Sequence, residues 1–430
     1  MPSDTDLAKV ARCLRAEAFQ RPAEHVWVRS ARHDVEGCRI GQTIVIDLGR
    51  ADGRQIVAEP GWWEVREGDH PTGAVFRRSR ALKAMVVPDR AVKDEDEDDA
   101  ENGLEVLRSL LNLSASDFRL YVAWLLFSWV PDRAHPILAI LGQQGTAKTK
   151  MANYGAGLVS PAVTAGPPRN ADDWIAGASA GWISIIDNLS NISAQMADVL
   201  CRAVTGDALI KRSLHSDNDA FMITLRRPVI ITSIDAGALR GDLAERILPL
   251  HPQPLGDRRR SEEELDATYE QAKPRMVQAL LDLFVQVLEK LPETHPHPLP
   301  RMADFARWLD ALDQVAGWST LDDYRATFQA MSEEVIVSDP FLEAVLNLAR
   351  SNPDGLRMIA ARVLESVVTP ERPPRGWPAS GREARGALER GAPALLQRHG
   401  LRLIFPADKE HRRKDGYQIV FSWARSAEPD

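Results

Sequence analysis

Cysteine is scarce in this chain: Cys13, Cys38 and Cys201 lie far apart among 430 residues, with no Cys-x-x-Cys pair. That spacing excludes a disulfide framework and a cysteine-built zinc site, and it fits a reducing compartment, so a cytoplasmic protein is expected. Long apolar runs are lacking too. The longest, from Leu120 to Val130, is too short to span a bilayer, and the N-terminal residues up to Arg12 have no apolar core of a signal peptide. An excess of positive charge is also missing. With 53 Lys and Arg against 61 Asp and Glu the net charge is -8, so the chain is not a uniformly basic nucleic-acid binder, and any such contact must be regional. No internal repeat is seen. What is present is ordinary globular material, 44% hydrophobic and 27% charged, long enough for two to four domains.

The acidic run Asp94 to Asp99 marks the clearest boundary, because self-repelling carboxylates favour a solvated linker over a packed core. Residues 1–92 before it predict a small α+β module. Its β character comes from alternating segments around Val26-Trp27-Val28, Thr43 to Leu48 and Trp62 to Val65. After a linker at 93–102, residues 103–260 carry helical spacing and then short continuous apolar runs at 136–141, 182–186, 228–231 and 247–250. Such runs predict buried parallel strands covered on both faces by helices, hence an α/β fold. Residues 261–370 return to helical spacing after a capping box at Ser261 and Glu264, and 371–430 form a last basic segment.

The strongest chemical signal is Gly142-Gln143-Gln144-Gly145-Thr146-Ala147-Lys148-Thr149-Lys150, placed between a predicted strand and a predicted helix. Glycines let successive backbone N–H groups face phosphate oxygens, the helix start adds its positive dipole end, and Lys148 reaches the β and γ phosphates. Thr149 supplies the hydroxyl that holds Mg²⁺. Ala147 stands where the last glycine of the usual pattern falls, and the smallest side chain is expected to fit. The nine residues together predict ATP binding.

Three later segments extend this site. Gly181 to Asn188 reads as an apolar strand ending in Asp187, the candidate metal partner, and Asn188 follows where many hydrolytic relatives have a glutamate. An amide can orient water but cannot take its proton. Pro228 to Ser233 is a strand ending in hydroxyls, with Thr232 the candidate sensor of the γ-phosphate or its water, or else the maker of a local turn. Arg246, just before the fourth apolar run, could reach a neighbouring subunit's phosphate, with Arg240 as the alternative, or form a surface ion pair. Between the first and second of these segments, alternation on both sides of Ser216 to Asp219 predicts a hairpin carrying Lys211, Arg212 and His215. It could track a single strand through phosphate contacts in a ring pore, or be an ordinary charged hairpin.

In order, GQQGTAKT, ISIIDNLS, TGDALIKRSLHSD, RRPVIITSID and GDLAERILPL resemble the superfamily three helicase branch of AAA+ ATPases. Within it the match is to the ATPase portions of phage, plasmid and mobile-element primase-helicases and replication proteins. The resemblance covers about half the chain. It implies a hexameric ring, Mg²⁺-dependent ATP hydrolysis that drives translocation on DNA, and a role in replicating a mobile element, and it leaves open a separate primase or replication partner. The Asp-Asn pair at 187–188 occurs in that family, whereas the asparagine sensor of many members is replaced here by Thr232 and Ser233.

Residues 371–425 hold twelve basic against six acidic side chains, which favours a polyanion partner. A helix over Arg382 to Arg398, including Arg385, is followed by two strands around His411-Arg412-Arg413-Lys414, and this resembles a winged helix. Such domains place a helix in the major groove of DNA, or mediate protein contacts. The rival to a motor is a nucleotide-gated switch that assembles on DNA, or on a partner in phage defence, without unwinding.

Overall fold

The computed structural model describes residues 25–68, 71–89, 102–189, 192–212, 220–234, 241–255, 260–327, 340–370, 373, 377–405 and 418–423, with a few isolated residues nearer the N-terminus. The acidic run at 94–99 and most of the residues before 25 lie outside the described residues.

Four segments read as buried strands form one sheet: β7 (Ile137–Leu141), β9 (Ser184–Ile186), β12 (Val229–Ser233) and β13 (Ile247–Leu250). A two-residue strand, β8 (Thr164–Ala165), adds one edge, giving the order β13-β7-β12-β9-β8 with every pairing parallel. The first strand therefore lies inside the sheet, between the fifth and the fourth. Strand β7 is buried along its whole length because helices cover both faces, which is why its sequence runs Ile-Leu-Ala-Ile-Leu without alternation.

The helices of this layer start at side-chain caps. Asn102 caps α1 (Gly103–Leu110), Ser114 caps α2 (Ala115–Phe127), Asn170 caps α4 (Ala171–Ala180) and Ser193 caps α5 (Ala194–Thr205). The exception is α3 (Lys148–Val159), whose N-cap is Ala147, with no capping side chain. A long helix, α6 (Glu262–Lys290), begins at the capping box of Ser261 and Glu264. It is followed by α7 (Ala303–Ala316). The predicted hairpin is present as the antiparallel pair β10 (Ala208–Arg212) and β11 (Ala220–Thr224), in register Ala208 to Thr224.

The N-terminal strands form two small sheets. Strands β1 (Val26–Trp27) and β6 (Val75–Phe76) pair in parallel, and β2 (Ser30–Arg32), β3 (Ile44–Asp47), β4 (Gln55–Glu59) and β5 (Trp62–Arg66) make an antiparallel meander. Alternation was the right signal: one face of the meander packs inside the module around Ala31, Val35, Val45 and Ala74, while the other joins the central core. Ile44, Ile46, Ile56, Ala58 and Trp63 belong to the same buried cluster as Phe284 and Leu288 of α6. The Trp63 indole N–H donates to Asp282 at 2.7 Å, and the Gly61 N–H donates to the Val285 carbonyl at 2.9 Å. Buried Arg29 extends the join, donating to Ser160 Oγ at 3.0 Å and to the Asp47 carbonyl at 2.6 Å.

A second core lies toward the C-terminus, and it begins earlier than the sequence reading placed it. Residues 340–370 were expected to continue the helical extension. Instead Phe341, Val345 and Leu346 of α8 (Pro340–Arg350) and Val363 of α9 (Ala360–Ser366) bury against Leu388 and Leu395 of α10 (Gly381–His399) and Phe421. A short strand missed in sequence, β14 (Leu356–Met358), pairs with β16 (Ile419–Trp423), which also pairs with β15 (Leu401–Ile404). Trp377 packs edge-on to Phe341 at 5.6 Å. No helix among the described residues is long and apolar enough to cross a membrane.

Candidate nucleotide site

The loop from Gly142 to Ala147 leaves the C-terminal end of β7 and enters α3. Two residues take left-handed backbone conformations there, Gly145 at φ 82° and Ala147 at φ 57°. Ala147 is held there in a conformation that a Cβ disfavours. With no side chain capping α3 and no acid in its first turn, the open N–H groups and positive dipole end of this helix face the loop. The Lys148 ammonium lies within the loop and donates to the carbonyls of Gly142 (2.6 Å) and Gln143 (2.8 Å). Desolvation lowers its pKa, opposed by the charge of Asp187. Gln143 and Gln144 are exposed, whereas Thr146 is buried and its hydroxyl donates to the Gln143 carbonyl at 2.9 Å, which braces the loop from inside.

Asp187 follows β9 and is brought to the same place. The Thr149 hydroxyl donates to its two carboxylate oxygens at 3.0 and 3.1 Å. Buried Thr232, at the end of β12, donates to Oδ1 at 2.5 Å and accepts the Asn188 N–H at 2.8 Å. Asn188 has φ 55° and an exposed side chain. Among the described residues no group of three or more His, Cys, Asp and Glu could hold a metal. One carboxylate beside one hydroxyl is the donor set that suits Mg²⁺ shared with phosphate oxygens and water, because that ion keeps much of its own hydration.

Two expected site residues behave differently. Lys150 was grouped with the phosphate contacts, yet its ammonium is paired with α6, at 2.6 Å from both Glu262 and Asp266. Tyr154 donates to the same Asp266 at 2.7 Å. Lys150 pays a desolvation cost but is held above its ordinary pKa by its bonds to these carboxylates, and Asp266 is held below its own by Lys150 and Tyr154. Position 150 lies on the α6-facing side of α3, which one-dimensional proximity to Lys148 conceals. Arg246, expected at a subunit interface or in a surface ion pair, closes the 3-10 turn Gly241–Arg246 and is only 6% exposed. Arg240 lies outside the described residues.

Sequence reading missed a cavity of about 660 Å³ beside the loop. Its wall combines Leu111 and Leu113 after α1, Ala147 and Lys150, Leu255, and Arg260 and Leu265 at the start of α6. Asn112 and Gln253 tie its rim together, the Gln253 N–H donating to the Asn112 carbonyl at 2.7 Å. Nothing in the local sequence marks these residues, since they meet only through the fold. A second cavity, of about 470 Å³, lies at the far sheet edge around Trp174 and Pro167, apart from Lys148.

The residues named for nucleic acid are less gathered. Lys211 and Arg212 sit on β10, while His215, Arg412, Arg413 and Lys414 lie outside the described residues. On α10, Arg382 is exposed, but Arg385 is bonded to Glu389 at 2.8 Å and lies over the Phe405 ring at 5.7 Å, which makes it a brace between helix and strand end.

Residues 104–334, more than half of the chain, match the family described as the actinomycete integrative conjugative element replication protein. The chain belongs to that family and is a replication-associated protein of a mobile genetic element. No curated protein matches it. Among solved structures, the A form apo structure of the NrS-1 C-terminal region shares 13% identity at a TM-score of 0.35, covering 88% of this chain and 96% of that one. A second apo structure of that region, 305–718, gives 11% identity and a TM-score of 0.32 over 72% and 79% of the two chains. The functional reading therefore rests on the geometry of this chain and on its family.

Proposed function

We propose that this protein is a P-loop ATPase of the AAA+ type that binds ATP with Mg²⁺ and hydrolyses it to move or remodel DNA while a mobile element replicates. The observation that carries this reading is the meeting of Thr149 and Asp187 at 3.0 Å beside an uncapped helix start and Lys148. The central strand order, with the first strand between the fifth and fourth, supports it, and so does the family to which residues 104–334 belong.

In this reading the N–H groups from Gly142 to Thr149 cradle the phosphates, and Lys148 exchanges its loop carbonyls for phosphate oxygens. Thr149 and Asp187 hold Mg²⁺, which supplies charge neutralisation on the phosphates. Asn188, exposed at the end of β9, orients the attacking water. The adjoining cavity has the size and mixed apolar and polar wall that a nucleoside needs. DNA is engaged by the β10–β11 hairpin in a hexameric ring and by the C-terminal unit, whose order of helix, strand, two helices and two strands supports a winged helix with Arg382 at the start of its third helix.

One observation favours a slower, switch-like ATPase: Asn188 offers an amide where a carboxylate would take the proton of water. ATP turnover with and without single-stranded DNA, beside Lys148→Ala and Asp187→Ala, separates the two. A motor shows turnover stimulated by DNA and reduced at least about 100-fold in both variants, in line with the loss of groups that act on the transition state. ATP binding with negligible turnover, unmoved by DNA, contradicts the motor and leaves the switch.

A further inference from the structure

Thr232 was expected to sense the γ-phosphate or its water. Its surroundings leave it little freedom to do so, because the hydroxyl is buried, its only proton is donated inside the protein and one of its lone pairs already accepts a backbone N–H. The side chain is 1% exposed, its proton goes to Asp187 Oδ1, and its oxygen accepts the Asn188 N–H. The neighbouring groups of β12 continue the contact. The Thr232 carbonyl accepts the Leu189 N–H at 2.8 Å, and the Ser233 hydroxyl donates to the Leu189 carbonyl at 2.6 Å. On the other side, the Asp187 N–H donates to the Ala165 carbonyl of β8 at 2.8 Å. The turn 187–189 is thus held from both flanking strands, and the Ser233 carbonyl also accepts the N–H of Gly142, the first residue of the phosphate loop, at 3.1 Å.

We infer that Thr232 is a positioning residue for the metal site: it fixes the rotamer of Asp187 toward Thr149 and holds Asn188 in its left-handed conformation, instead of touching the nucleotide. This rests on the reading of Asp187 and Thr149 as Mg²⁺ ligands. A carboxylate that accepts a second hydrogen bond keeps one orientation and presents its remaining lone pairs in a fixed direction, and loss of such an outer partner typically weakens metal binding about 10–100-fold. The N–H bond matters separately. Without an acceptor it would be a poorly paired donor beside a backbone conformation that non-glycine residues adopt reluctantly.

The test is the Mg²⁺ dependence of ATP binding, read by equilibrium titration on the full chain, with thermal unfolding recorded for each variant. Thr232→Val keeps the shape and removes both bonds, Thr232→Ala does so without placing a new methyl group in the site, and Thr232→Ser keeps the hydroxyl. Positioning predicts that Val and Ala raise the Mg²⁺ concentration for half-saturation at least about 10-fold, while Ser stays within about threefold of the parent. If Val or Ala folds and binds with the parent's Mg²⁺ dependence, losing only turnover, Thr232 is a sensor and the inference is overturned. Asp187→Ala separates this from failure of the underlying reading. Parent binding that depends on Mg²⁺, lost in Asp187→Ala but unmoved in the Thr232 variants, overturns the positioning role alone. Parent binding indifferent to Mg²⁺ removes the metal site and the inference with it.

Discussion

At the scale of single residues, the site is built from side chains whose types were visible but whose partners were not. Lys148, Thr149 and Asp187 could be named from spacing, because a glycine-rich turn between an apolar strand and a helix constrains what surrounds it. Thr232 could be named as polar at a strand end, but whether its hydroxyl faced a ligand or Asp187 depended on the register between β12 and β9, which pairs Ile231 with Ile186. Lys150 shows the opposite difficulty: its partners, Glu262 and Asp266, lie more than a hundred positions away. A buried residue with no role in the site gives a pH test. His135 is buried in the core against Phe127 and Trp182, and burial lowers its pKa to about 4. The folded state holds the ring neutral while the unfolded chain takes up a proton below about pH 6.5. Stability contributed by the neutral ring is therefore full above that pH and is lost as pH falls toward 4, by about 3 kcal/mol at most. Urea unfolding at pH 7.5 and pH 5 should show this loss in the parent and a smaller one in His135→Phe.

At the scale of elements, helix starts and buried strands were readable, while the joins between units were not. The capping box at Ser261 and the strand at 137–141 follow from local chemistry. Strands β8 and β14 escaped notice because two or three residues carry no period. What the N-terminal meander packs against was not legible either, since alternation shows that one sheet face is buried but not what buries it. That partner is α6. Trp63→Ala should accordingly destabilise the central fold by about 3–5 kcal/mol, as large-to-small changes at buried aromatic residues do. Denaturant unfolding followed by tryptophan fluorescence and by far-UV circular dichroism reads the outcome. Coincident shifts agree with a shared core, whereas an early transition confined to a minor part of the signal would mean that the module folds apart from α6.

At the scale of the whole molecule, the parallel sheet collects Lys148, Asp187 and Thr232 at one end, because all three follow or close strands that run the same way. The N-terminal meander braces α6, and α6 in turn meets α3 through Lys150 and Tyr154, so the loop from Gly142 to Ala147 and the meander are joined by one continuous core. The C-terminal unit has its own core, with α10 lying against the 3-10 turn that ends at Arg246. In the proposed reading, the loop from Gly142 to Thr149 holds the phosphates of a nucleoside triphosphate. Calorimetric titration of ATP and of adenosine into the parent and into Lys148→Ala, at fixed Mg²⁺, tests it most directly. The account predicts one ATP per chain, much weaker binding of adenosine, and a loss of at least about 2 kcal/mol in Lys148→Ala, the scale of a charge-assisted bond. Equal affinity of ATP for the parent and for Lys148→Ala would contradict it.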